Sequence, residues 1–133
     1  MTLAQKMIES NPTEIGFDRN ILVTAIDSCT SCAQACTSCA DACVAEGERS
    51  LSCCVTSCNA CADLCDATGR ILSRQAAANV VILRAAVEAC IASCSACASE
   101  CESHEYRHCK ACAEACRRCV DACRDFLSEL PTE

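Results

Sequence analysis

Cysteine occupies the apolar positions of four segments of the chain, in alternating steps of three and four residues. The first segment carries Cys29, Cys32, Cys36, Cys39 and Cys43, and the second Cys54, Cys58, Cys61 and Cys65. The third carries Cys90, Cys94, Cys97 and Cys101, and the fourth Cys109, Cys112, Cys116, Cys119 and Cys123. Such alternation is the inner seam of a helix packed on other helices, so each segment predicts one helix with its thiols on a single face. Ala, Ser, Asp, Glu and Arg fill the other positions and supply a helix-forming, wetted outer side. Cys53 alone stands outside the register.

Breakers and caps bound these helices. Asn11-Pro12-Thr13 sets off a short N-terminal segment, residues 1–16, with room for a helical turn or two. The first long helix is predicted from about Phe17 to Ala45, stopped by Gly47. The second runs from about Ser50 to Leu72, with Gly69 as a weak point in its last turns. Asn79 caps a third that ends near Ser103, and a fourth runs from near Glu105 to before Pro131. Connections this short make neighbours antiparallel. The predicted fold is all-α: an up-down-up-down four-helix bundle with a Cys-lined core over residues 17–130, plus the N-terminal segment.

Continued past their cysteines, the seams meet Ala25, Leu22 and Ile15; Thr68 and Leu72; Val87, Leu83 and Val80; and Phe126 and Leu130. In an antiparallel bundle these extensions share one end, which predicts an apolar plug. The other end gathers Cys43, Cys53, Cys54, Cys101 and Cys109. There the third seam continues to His104, and His108 adjoins Cys109.

Composition narrows the chemistry. Nineteen cysteines in 133 residues exceed the roughly 8–10% that marks a cysteine-specialised chain. With no Trp, one Tyr and two Phe, a seam of Cys and Ala buries little apolar area, so cysteines acting only as small hydrophobes would leave a thin core. Disulfides fit poorly: helix neighbours at these spacings have Cβ atoms about 5–6 Å apart, whereas a disulfide needs about 3.5–4.5 Å. The start, Met1-Thr2-Leu3-Ala4-Gln5-Lys6, has no apolar run of a signal peptide, which predicts the cytoplasm and reduced thiols. No stretch of about 18 apolar residues is expected to span a membrane. The net charge of −7 argues against nucleic acid, whose phosphates need clustered Lys and Arg.

Metal binding remains. Zinc needs four tetrahedral ligands, and each site of four thiolates keeps negative charge, so several inside one bundle would bury uncompensated charge. Iron–sulfur clusters use converging, loop-borne cysteines. Copper(I) is soft, prefers thiolate and accepts two or three sulfurs; one ion per thiolate leaves a neutral core. The pattern therefore favours many copper(I) ions held along the seams.

The four seams and the stretch Cys101-Glu102-Ser103-His104-Glu105-Tyr106-Arg107-His108-Cys109-Lys110-Ala111-Cys112-Ala113-Glu114-Ala115-Cys116-Arg117-Arg118-Cys119 resemble the bacterial four-helix-bundle copper storage proteins, over roughly residues 17–127. The resemblance implies a copper(I)-filled core, a homotetramer, and entry at a His-bearing mouth. It implies the eighteen seam cysteines as core ligands, His104 and His108 as mouth histidines, and Cys53 as an accessory ligand there. Lacking a leader, the chain resembles the cytosolic branch.

Other features are read as structural. Asp41, Asp63 and Asp121 recur between seam cysteines and are expected to meet Arg117, Arg118 or Arg124. Met7 is expected to pack rather than ligate. His104 and His108, four apart, have a spacing that can share a metal. With no Ser-His-Asp set, P-loop or dinucleotide fingerprint, no enzyme is expected. The functional reading is cytosolic copper(I) storage, with a protein donor or acceptor as a candidate partner. The alternative is metallothionein-like detoxification of soft metals, zinc included.

Overall fold

The computed structural model describes residues 1–132. Five α-helices follow in order: α1 (Leu3–Ser10), α2 (Arg19–Glu46), α3 (Ser52–Ser73), α4 (Val80–Glu102) and α5 (Arg107–Glu129). Local chemistry sets their ends. The Asp18 carboxylate accepts the Ile21 N–H at 3.0 Å to start α2, and Gly47, in the left-handed region at φ 71°, stops it. Asn79 starts α4 by accepting from Val81 N–H and Ile82 N–H. The Asp18 N–H donates to Glu129 Oε1 at 2.8 Å, tying the start of α2 to the end of α5.

Helices α2 to α5 form a closed square, α2 packing on α3 and α5, and α4 on the same two. Four inward seams therefore meet on one axis. Leu22, Leu72, Leu83, Val87 and Phe126 fill one end and are at most 2% exposed. The Thr68 hydroxyl, buried among them, is satisfied by donating to Ala86 O at 3.3 Å. The Phe17 ring meets Phe126 edge-on with centroids 5.0 Å apart. The expected plug is thus present, although Ile15 and Val80 at its rim are only half-buried.

Three details depart from the sequence reading. Gly69 is no weak point: it is buried within α3, where an added Cβ would stand 3.4 Å from Cys29 Cβ. It marks the close approach of α3 to α2. A single 3-10 turn, Arg49–Leu51, precedes α3 and buries Leu51 beneath the cysteine end. Helix α4 is long and apolar enough to cross a bilayer by length and composition, with mean hydropathy 1.8, because Cys and Ala count as apolar. Its cysteine face is turned into the bundle. Helix α1 supplies the two turns expected of the N-terminal segment and packs on α2, burying Ile8.

Hydrocarbon packing and backbone hydrogen bonds of this kind need no metal. Reduced, metal-free protein should therefore give a strongly helical far-UV circular dichroism spectrum that changes little on copper addition. Chemical denaturation of that form should show Phe126→Ala destabilised by about 3–5 kcal/mol. Gly69→Ala, whose Cβ makes an ordinary contact, should be neutral or stabilising by up to about 1 kcal/mol. The larger Gly69→Leu should be destabilising.

Candidate metal centre

Each seam cysteine is carried inward by a helix whose register leaves it no other direction, and all eighteen are buried. Their sulfurs form a ladder. At the plug, Cys29 Sγ lies 4.0 Å from Cys90 and 3.9 Å from Cys123. Further along, Cys65 and Cys94 are 3.5 Å apart, Cys61 and Cys94 3.6 Å, and Cys32 and Cys116 3.6 Å. Cys36 reaches Cys112 at 3.6 Å and Cys116 at 3.7 Å. Towards the mouth, Cys101 lies 3.6 Å from Cys54 and 3.7 Å from Cys58. All nineteen cysteines are free thiols.

Quartets whose sulfurs lie within 4.8 Å of one another stack along the axis: Cys29, Cys90, Cys119 and Cys123; Cys32, Cys61, Cys65 and Cys94; Cys32, Cys36, Cys61 and Cys116; Cys36, Cys97, Cys112 and Cys116; and Cys39, Cys43, Cys54 and Cys109. Cys32, Cys36, Cys61 and Cys116 each belong to two of them. Sharing is a consequence of packing four seams at one spacing: a sulfur between two layers touches both.

The thiols share protons through this ladder. Hydrogen bonds to Cys119, Cys123 and Cys90, with burial behind them, hold Cys29 far above the usual thiol range. The influence of neighbouring thiols, Cys112 and Cys39 foremost, draws Cys101 down to about 4. The same influence from Cys116 and Cys32 lowers Cys61 strongly. A soft cation entering such a network replaces shared protons with a shared metal.

The mouth is more specific than the sequence suggested. His108, in the first turn of α5, points Nδ1 at Cys39 Sγ (3.5 Å), Cys109 Sγ (3.6 Å) and Cys43 Sγ (3.9 Å). Its Nε2 lies 2.9 Å from Glu46 Oε2. Burial opposes its protonation, but the hydrogen bonds to Cys39 and Glu46 outweigh this and raise its pKa. The Tyr106 ring stacks on it, 5.4 Å between centroids and 8° from parallel. The influence of the Glu48 carboxylate pushes the Tyr106 hydroxyl up to about 12. His104 lies beyond the end of α4, with Nε2 2.7 Å from Glu100 Oε2. A turn separates the two histidines, so their four-residue spacing is not that of one helix face, and only His108 reaches the sulfurs.

Other expectations resolve differently. Cys53 is exposed and, among the described residues, takes part in none of the thiol contacts, as its place one residue before the seam requires. Asp41, Asp63 and Asp121 are exposed. Arg117 instead grips Glu102 with two hydrogen bonds, at 2.8 and 3.2 Å, because that carboxylate ends the neighbouring helix. Met7 is exposed. The sequence reading missed Glu46, Glu100 and Tyr106. The four-residue spacing of Glu100 and His104 was a signal for that pair, whereas Glu46 and His108, 62 residues apart, offered none.

Comparison with known proteins agrees with this architecture. The family model described as copper storage protein matches residues 18–128. No match is found among curated proteins. Among solved structures, the chain is similar to the copper storage protein Ccsp from Streptomyces lividans loaded with 10 copper equivalents. The two are 39% identical with a TM-score of 0.90, over 96% of this chain and 99% of that one. It is also similar to a mutant of S. lividans Ccsp, at 42% identity and TM-score 0.82 over 87% and 99% of the two chains. A third similar structure shows copper loading to a cytosolic copper storage protein from S. lividans, with five coppers, at 41% identity and TM-score 0.79 over 84% and 96%. With the family model spanning nearly the whole bundle and the cysteine ladder running inside it, this chain belongs to the copper storage protein family.

Proposed function

We propose that the bundle stores copper as copper(I), in the cytoplasm, on the eighteen seam cysteines, with residues 17–130 as the storage unit. The observation that carries this is the sharing of Cys32, Cys36, Cys61 and Cys116 between quartets. A divalent ion prefers a tetrahedron of four thiolates, and one such ion per quartet leaves uncompensated negative charge in the core. Bridging thiolates suit copper(I), and one monovalent ion per thiolate neutralises a core that water cannot reach. The cytosolic description of a similar S. lividans protein supports the compartment.

His104 and His108 are proposed as entry ligands, and Cys53 as an accessory thiol at the same end. The apolar plug closes the far end to a cation, since charge in hydrocarbon is heavily penalised. Ions would move inward by exchange between sulfurs that are already neighbours. Nothing in this scheme turns over a substrate, so we read the chain as a store and not an enzyme. A homotetramer and a protein donor or acceptor complete the proposal.

Anaerobic titration of the reduced protein with copper(I), against a competing chelator, should saturate near about one ion per thiolate. Saturation near one ion per four thiolates would support tetrahedral sites instead. In the same titration Cys61→Ser should lose about one to two ions, since its sulfur serves two quartets, whereas Cys53→Ser should lose none. Stopped-flow exchange should show His104→Leu/His108→Leu loading and unloading more slowly, with final capacity nearly unchanged.

A further inference from the structure

Glu46, the last residue of α2, is not a candidate ligand, yet it faces the one imidazole that touches the thiol ladder. A carboxylate only accepts hydrogen bonds, so at 2.9 Å the Glu46 Oε2 requires a proton on His108 Nε2. A neutral imidazole protonated at Nε2 carries its lone pair on Nδ1. In this structure Nδ1 is the atom that lies 3.5 to 3.9 Å from Cys39, Cys109 and Cys43. Tyr106, stacked on the ring face, opposes tilting of the imidazole.

We propose that Glu46 is a positioning residue for copper entry: it holds His108 in the tautomer and orientation whose Nδ1 lone pair joins Cys39, Cys43 and Cys109 in a ready-made mixed nitrogen–sulfur entry site. The inference rests on the reading of the bundle as a copper(I) store filled from this end. Carboxylates behind ligating histidines fix the ring and raise its basicity, and their loss commonly weakens a site 10- to 100-fold, so an effect of about 10-fold on entry is expected here. Because Glu46 sits at the terminus of α2 while His108 begins α5, the contact also makes the mouth geometry depend on the bundle being assembled.

The test uses Glu46→Ala and Glu46→Gln in the full chain. In reduced, copper-free parent protein in alkaline buffer, 15N NMR of the imidazoles should show His108 as a single Nε2–H tautomer. Glu46→Ala should show a tautomer mixture and load copper(I) about 10-fold more slowly in stopped-flow mixing, with final capacity unchanged. Glu46→Gln, whose amide oxygen still accepts from Nε2–H, should restore both the tautomer and most of the rate. Adding Glu46→Ala to His108→Ala should slow loading no further. A parent His108 protonated at Nδ1, or a parent-like rate in Glu46→Ala, would overturn the proposal. So would Glu46→Gln loading as slowly as Glu46→Ala, which would make Glu46 a simple attractor of cations. Failure of the storage reading would show separately, as low copper capacity in the parent, while the tautomer and the double-variant comparison still decide the role of Glu46.

Discussion

Sulfur packed against sulfur, from four helices at once, is the contact on which the rest of this molecule depends. A core of thiols gains less from burial than one of Leu and Phe. Without metal it is held by hydrocarbon that closes one end, by the helix backbones, and by weak S–H hydrogen bonds that link Cys29 at the plug to Cys101 and Cys112, with a separate set at the mouth among Cys39, Cys43 and Cys109. The same closeness makes the core receptive. Each proton in the ladder lies between sulfurs 3.5 to 4.0 Å apart, where a two- or three-coordinate ion can replace it with little movement of the backbone.

Polarity along the bundle axis follows from two kinds of end. Where the seams run out into Leu22, Leu72, Leu83, Val87 and Phe126, the tube is sealed by side chains with no lone pairs to offer. Where they run out at Cys43, Cys54, Cys101 and Cys109, the rim is finished with imidazoles and carboxylates that are partly open to water. An ion can exchange water for nitrogen and sulfur only at the second end. On the proposed reading, filling from the second end needs no moving lid, only unequal termini on otherwise similar helices.

The carboxylates at the mouth act in pairs with the histidines. Glu100 binds His104 from within the last turn of α4, and Glu46 binds His108 across from α2 to α5. The first pair is local and leaves His104 turned along its own helix end. The second joins two helices and aims a nitrogen into the ladder. Two histidines alike in sequence context therefore differ in what they can do.

Much of the fold was legible in the residues. The 3,4 cysteine spacing determined which faces turn inward, because a helix repeats its faces at that interval. Asn79 and Gly47 marked helix ends through chemistry that acts within a turn, and the seam extensions located the plug. What tertiary structure alone decided was everything that needs two helices at known separation. Sharing of Cys32, Cys36, Cys61 and Cys116 between quartets depends on the relative stagger of the seams. The burial of Gly69 against Cys29 depends on how closely α3 approaches α2. The partnership of Glu46 with His108 spans 62 residues and follows from no local pattern. The spacing of one helix dictates the direction of its side chains, but the distance between sulfurs or between a carboxylate and an imidazole is set only when the helices meet.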